Sequence, residues 1–163
     1  MTVNLESFLV HPRQGDSYWF GVDLWTFKAV GENTGERYAL FEVLIMPQGG
    51  TPPHIHGREN ESFYVQEGEL EFKLDTEIIN ATAGTFLFSP KGQLHSFTNT
   101  TANPAKILLW VTPAGFEKFV AEVSAVAKDP IAPAPPLNPE DLERIVTVAR
   151  KYGVEILPPQ SQA

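Results

Sequence analysis

The chain has 163 residues, 42% hydrophobic and 20% charged, with a net charge of -8 and no cysteine. That length supports one domain with a sizeable core. The acidic balance and the lack of any lysine or arginine run argue against nucleic acid or membrane as a partner, and the absence of cysteine excludes disulfides, zinc knuckles and thiol catalysis.

Residues 1–17 are weakly patterned and are expected to form an N-terminal arm, without an export signal, which makes a cytoplasmic location the expectation. His11, beside Pro12, reads as an exposed histidine and not as a ligand. Strand signals run through residues 18–113. Leu24 to Val30 is rich in aromatic and β-branched residues, Gly31 to Gly35 reads as a turn, and Arg37 to Met46 as the return strand. Both faces of that return strand are apolar except at Glu42, which fits a barrel strand covered on its outside. A subunit interface is one candidate cover, so a homodimer is expected. Pro47 to Pro53 reads as a Gly/Pro loop. Short strands follow at Ser62 to Gln66, at Glu69 to Leu74 with clean alternation, at Glu77 to Ala81, at Thr85 to Ser89, around His95 and Phe97, and at Lys106 to Thr112. Many short strands with frequent turns indicate an antiparallel jelly-roll barrel, an all-β fold. Of the aromatics Phe63, Tyr64, Phe86, Phe88 and Phe97, most are assigned to the core.

Residues 114–163 change period and form a helical extension, packed on the barrel or on a partner subunit. Phe116, Phe119, Val120 and Val123 fall on one helical face, with Thr112-Pro113 as its cap and first-turn proline. Phe116 and Phe119 are assigned to packing against the barrel, covering its mouth being the alternative. Asp129 to Pro136 holds four prolines and reads as an extended linker. Asn138-Pro139-Glu140-Asp141 opens a second helix with Leu142, Ile145, Val146 and Ala149 as its buried stripe and Gly153 as its stop.

The chemistry concentrates between Pro53 and Asn99. His54 and His56 stand two apart, so on a strand they share one face. Glu61 lies five residues past His56, the wrong parity for one unbroken strand, but Gly57 to Asn60 is turn-rich and lets the chain return it to the histidines. His95 supplies a third imidazole. Three imidazoles and a carboxylate suit one divalent transition metal per chain, Fe, Mn, Ni, Co, Cu or Zn. Glu59 is a rival to Glu61 with a less suitable offset.

These residues also carry a family resemblance. His54-x-His56-x(4)-Glu61-x(6)-Gly68 resembles the first motif of the cupins, and Gly84-x(5)-Pro90-x-Gly92-x(2)-His95-x(3)-Asn99 resembles the second. One departure stands out: the family's opening glycine falls on Gln48, with glycines following at 49 and 50. The resemblance implies a single double-stranded β-helix barrel with His54, His56, Glu61 and His95 as metal ligands. The stretch Pro53 to Glu61 and the region after the barrel, from Thr112 to Phe119 and ending at Lys151 to Val154, resemble the bacterial single-barrel quercetin 2,3-dioxygenase-like cupins. That implies an enzyme that uses O2 to cleave a flavonol or similar enolisable hydroxy-ketone with release of carbon monoxide. Glu61 would ligate the metal or take the substrate's hydroxyl proton. A metal-dependent isomerase or decarboxylase, and a small-molecule-binding module without catalysis, are the competing readings, since this fold hosts many activities.

Overall fold

A computed structural model describes residues 5–157. The ends of the expected arm and of the helical extension, residues 1–4 and 158–163, lie outside the described residues. Two antiparallel sheets face each other. The first orders its strands as β11 (Ala125–Val126), β1 (Ser17–Phe20), β2 (Asp23–Ala29), β3 (Ala39–Ile45), β10 (Ala105–Thr112), β5 (Asn60–Glu67) and β8 (Phe86–Ser89). The second orders them as β12 (Val154–Ile156), β4 (Gly50–His56), β9 (Leu94–Thr98), β6 (Glu69–Leu74) and β7 (Glu77–Thr82). The jelly-roll reading therefore holds.

The core lies between the sheets. Alternation places Phe41, Val43, Phe63, Val65, Ile107 and Leu109 inward from the larger sheet, and Leu70, Phe72 and Phe97 inward from the smaller one. Phe63, Phe72 and Phe97 pack with ring centroids 5.0–5.8 Å apart. Full burial of such side chains contributes about 1.5–3 kcal/mol each. The expectation for the remaining aromatics fails. Tyr64, Phe86 and Phe88 are exposed, because Tyr64 pairs with Phe86 and with Leu108, and Ser62 with Phe88, on the outward side of the larger sheet.

Two local features here depart from the sequence reading. Gly31–Thr34 is a single helical turn, α1, held by the Asn33 side chain accepting from the Val30 N–H and closed by left-handed Gly35. The expected loop from Pro47 to Pro53 is short, since β4 begins at Gly50 and runs through both prolines with a register shift against β9 between Thr51 and His54. Prolines lack the ladder donor and are tolerated at such irregularities. Gln48, at the position of the departing glycine, adopts a left-handed φ of 64°. Gly49 and Gly50 are required by crowding: a Cβ would come within 2.1 Å of the Asp23 carboxylate at the first and 2.0 Å of the Phe97 carbonyl at the second.

The first long helix, α2 (Phe116–Val123), opens after Gly115 and not at Pro113. Glu117 sets this start: its carboxylate accepts from the Gly115 N–H at 2.7 Å and the Gly31 N–H at 3.0 Å. Its four expected apolar residues are buried. Helix α3 (Pro139–Lys151) begins with the Asn138 capping box. Ile145 and Ala149 are buried, whereas Leu142 of the expected stripe is 53% exposed. After Gly153 the chain makes β12, a strand not anticipated from sequence, which pairs Val154 with His56 and Ile156 with His54. No helix among the described residues is long and apolar enough to cross a membrane.

Candidate metal centre

His54 and His56 project inward from β4. His95, on β9, is the ladder partner of His54, so the pairing of the two strands brings their rings to 4.3 Å between centroids. Glu61 arrives from the opposite sheet. After His56 the chain leaves the smaller sheet through Gly57 to Glu59 and enters the larger one at Asn60. Glu61 there faces inward beside Val111 and Ser89, both buried. The parity problem is thus resolved by a change of sheet.

One donor atom from each of the four residues lies within 4.8 Å of the others, and all four residues are buried. Glu61 Oε2 lies 2.7 Å from His95 Nε2, 3.2 Å from His56 Nε2 and 3.8 Å from His54 Nε2. The outer nitrogens are each held from behind. His54 Nδ1 meets the Pro52 carbonyl at 2.8 Å, His95 Nδ1 the Gln93 carbonyl at 3.1 Å, and His56 Nδ1 the Glu59 carboxylate at 3.3 Å. A carbonyl only accepts, so His54 and His95 carry their proton on Nδ1 and, when neutral, turn a lone pair inward from Nε2.

Those inward lone pairs face the lone pairs of Glu61, an arrangement that needs either extra protons or a cation between them. His56 Nε2, although within ion-pair distance of Glu61, has no hydrogen-bond partner. An orphaned buried nitrogen, backed tautomers and a converging carboxylate fit a divalent transition metal. Without one, burial lowers the His54 imidazole below its usual range, with the Glu61 carboxylate opposing. Burial also lowers His56, but Glu61 and Glu59 overcome it and raise it to about 9. Burial acts to raise Glu61, and the imidazoles outweigh it and hold the carboxyl well below its usual range.

Two acidic residues matter here in ways that sequence reasoning missed. Glu59, weighed only as a rival ligand, orients His56 from behind. Asp23, unremarked in the sequence, is buried at the start of β2 and ties that strand to the approach of β4. Its oxygens accept from the Met46 N–H at 2.9 Å and the Gly50 N–H at 2.8 Å. Burial, only partly offset by these bonds, raises its carboxyl to about 7.

A cavity of about 220 Å³ adjoins His54 at the barrel mouth. Trp25 from β2, Phe116 and Phe119 from α2, and Leu142 and Ile145 from α3 line it. Phe116 also packs edge-on against His56, with centroids 4.9 Å apart. The two phenylalanines therefore pack against the barrel and wall the mouth at once.

Residues 41–112 match the family described as Cupin domain. Quercetin 2,3-dioxygenase of Bacillus subtilis (strain 168) is 32% identical over 93 residues, covering 55% of this chain and 27% of that protein. Germin-like protein 1-1 of Oryza sativa subsp. japonica is 32% identical over 125 residues, covering 72% of this chain and 52% of that protein. The chain thus spans at most about half the length of these curated relatives. Among solved structures, an RmlC-like cupin from Shewanella frigidimarina NCIMB 400 superposes with a TM-score of 0.59 at 19% identity, over 69% of this chain and 96% of that one. That likeness shows the fold alone.

Proposed function

We propose, from the premise that the barrel around residues 41–112 is a cupin domain, that this chain is a metal-dependent dioxygenase resembling quercetin 2,3-dioxygenase. Its substrate is a flavonol or similar enolisable hydroxy-ketone. The observation that carries the reading is the convergence of His54, His56, Glu61 and His95, with His54 also lining an apolar cavity. The partial identity to the Bacillus subtilis quercetin 2,3-dioxygenase supports the choice of reaction.

Three imidazoles and one carboxylate would hold the ion and leave room for substrate. When bound, the metal supplies a Lewis acid and a redox-active site for O2 chemistry. The chain's own contribution is positional. The Pro52 and Gln93 carbonyls and Glu59 fix the three rings. Trp25, Phe116 and Phe119 exclude water from the approach. Glu61, ionised at neutral pH, would either ligate the ion or take the substrate's hydroxyl proton at a carboxylate oxygen. A second copy of the chain covers the exposed Tyr64, Phe86 and Phe88 face.

The test is oxygen uptake and carbon monoxide release by the metal-loaded protein with quercetin and smaller hydroxy-ketones. Consumption that is abolished in Glu61→Gln supports the reading. No consumption with any of these compounds and any first-row metal refutes it.

A further inference from the structure

The cavity beside His54 is small. Its volume of about 220 Å³ exceeds the ~150 Å³ that encloses a benzene-sized guest but falls short of the ~300–1,000 Å³ usual for drug-sized ligands. Its outer wall is α3, which reaches over the barrel mouth from the far end of the chain and contributes Leu142 and Ile145, with Leu137 just before it. That wall is pinned. The Glu122 carboxylate of α2 bonds Tyr152 OH at 2.5 Å and Lys151 Nζ at 3.0 Å, and the Glu122 carbonyl accepts from Arg144. Behind α3, β12 is zipped onto the strand that carries His54 and His56, so the closing segment is held at both sides.

The wall offers little to a polar guest. Both Asp23 oxygens already accept backbone N–H groups. Thr51 Oγ1 lacks a partner but is covered by its own surroundings and does not open to the cavity. A ligand's hydroxyl groups placed along these walls would lose their water without replacement, which costs about 1–3 kcal/mol each. Polar recognition is confined to the His54 end. Leu137 and Leu142, both partly exposed, form the lip through which the cavity meets solvent.

We propose that α3 sets the size limit of the substrate, and that the ligand taken is a compact hydroxy-ketone. It has one ring, with adjacent hydroxyl and carbonyl groups facing His54 and an apolar body against Trp25, Phe119 and Ile145. This rests on the metal-centre reading above and narrows it: a polyhydroxylated three-ring flavonol meets the pinned helix before its chelating end reaches the centre.

The matched probes are maltol and unsubstituted flavonol, which share the same hydroxypyranone head and differ in bulk. Binding is measured by calorimetry on the Zn²⁺-loaded protein, because zinc holds the site without redox turnover. Metal retention is checked after each titration. The wild type binds maltol at least about tenfold more tightly than flavonol, and Leu142→Ala with Ile145→Ala raises flavonol affinity by about tenfold, the low end of what one methylene group is worth in an apolar pocket. Leu142→Ala alone, at an exposed position, gives a smaller shift in the same direction and serves if the double variant does not fold. Wild type preferring flavonol, or a ratio unmoved by either variant, overturns the size limit. Neither probe binding with zinc retained overturns both this inference and the reading beneath it. Maltol selectivity without oxygen consumption by any metal form overturns the dioxygenase reading alone.

Discussion

Glu59 gives the sharpest test of how the centre is built. Its carboxylate is buried and meets His56 Nδ1 at 3.3 Å, while His56 Nε2 faces the centre. Removing such an outer partner costs about 10–100-fold in metal affinity, or roughly 1.4–2.7 kcal/mol. The contact is long for a charge-assisted bond, which puts the loss for Glu59→Ala near the lower end, about tenfold. Glu59→Gln keeps an acceptor and the side-chain volume but removes the charge that makes His56 a better ligand, so its loss is smaller, about threefold. The loss already seen with Gln is the signature, because a purely packing role would leave Gln, which keeps the volume, at wild-type affinity and weaken Ala alone. Affinity is read by competing Zn²⁺ against a chromophoric chelator at fixed pH. Thermal unfolding of the metal-free proteins shows whether α2, whose Gly115 lies close to Glu59, has loosened. An Ala variant that keeps wild-type affinity within about twofold would refute the backing role of Glu59.

Metal uptake should carry a proton signature. In the metal-free protein His56 stands at about 9, so at neutral pH the incoming ion displaces a proton, and apparent affinity rises about tenfold per pH unit before levelling near that value. A pH-independent affinity across that range would contradict the electrostatics of the site, and calorimetry in buffers of different ionisation enthalpy counts the proton directly. Asp23 should imprint the opposite kind of dependence on stability. Its folded pKa, about 7, lies above the ordinary 3.8, so the folded state binds the proton more tightly. The resulting stabilisation is complete below the ordinary value and is lost as pH rises to about 7, by roughly 4 kcal/mol in total. Urea unfolding of wild type and Asp23→Asn across that window should give curves that converge as pH rises, since the variant cannot titrate; parallel curves would sink the assignment. Phe88→Glu, on the exposed face of β8, should convert a dimer to a monomer in light scattering while leaving the metal affinity unchanged; a wild-type monomer would remove the second copy.

What can be read directly from the sequence is what depends on local period. His54 and His56 announce a shared strand face by their spacing, and Leu70 and Phe72 announce theirs by alternation. The helical stripe of α2 is equally plain, and Asn138 signals the start of α3 through capping chemistry that needs no tertiary information. What resists is everything decided by closure. That Glu61 faces the histidines depends on the chain changing sheets between His56 and Asn60, a step that a turn-rich stretch permits but does not specify. Tyr64, Phe86 and Phe88 look like core residues until the register of β5 with β10 and with β8 assigns them the outer face. Asp23 looks ordinary until Met46 and Gly50, distant in sequence, bring their N–H groups to it.

The segment least legible at the start has the largest consequence for the site. At two and three residues, β11 and β12 are too short to show a pattern. Yet β12 lies directly against the strand bearing His54 and His56, and α3 before it walls the cavity. The chain therefore divides the work. The barrel brings the four side chains together, the histidines through the β4–β9 pair and Glu61 through the change of sheet, and the segment from Leu137 to Ile156 adds none to the group but bounds the cavity beside His54. On the proposed function, a barrel built on the same motifs with a different closing segment would keep the metal site and change the substrate, so selectivity should follow α3 and β12 while metal affinity follows β4, β5 and β9.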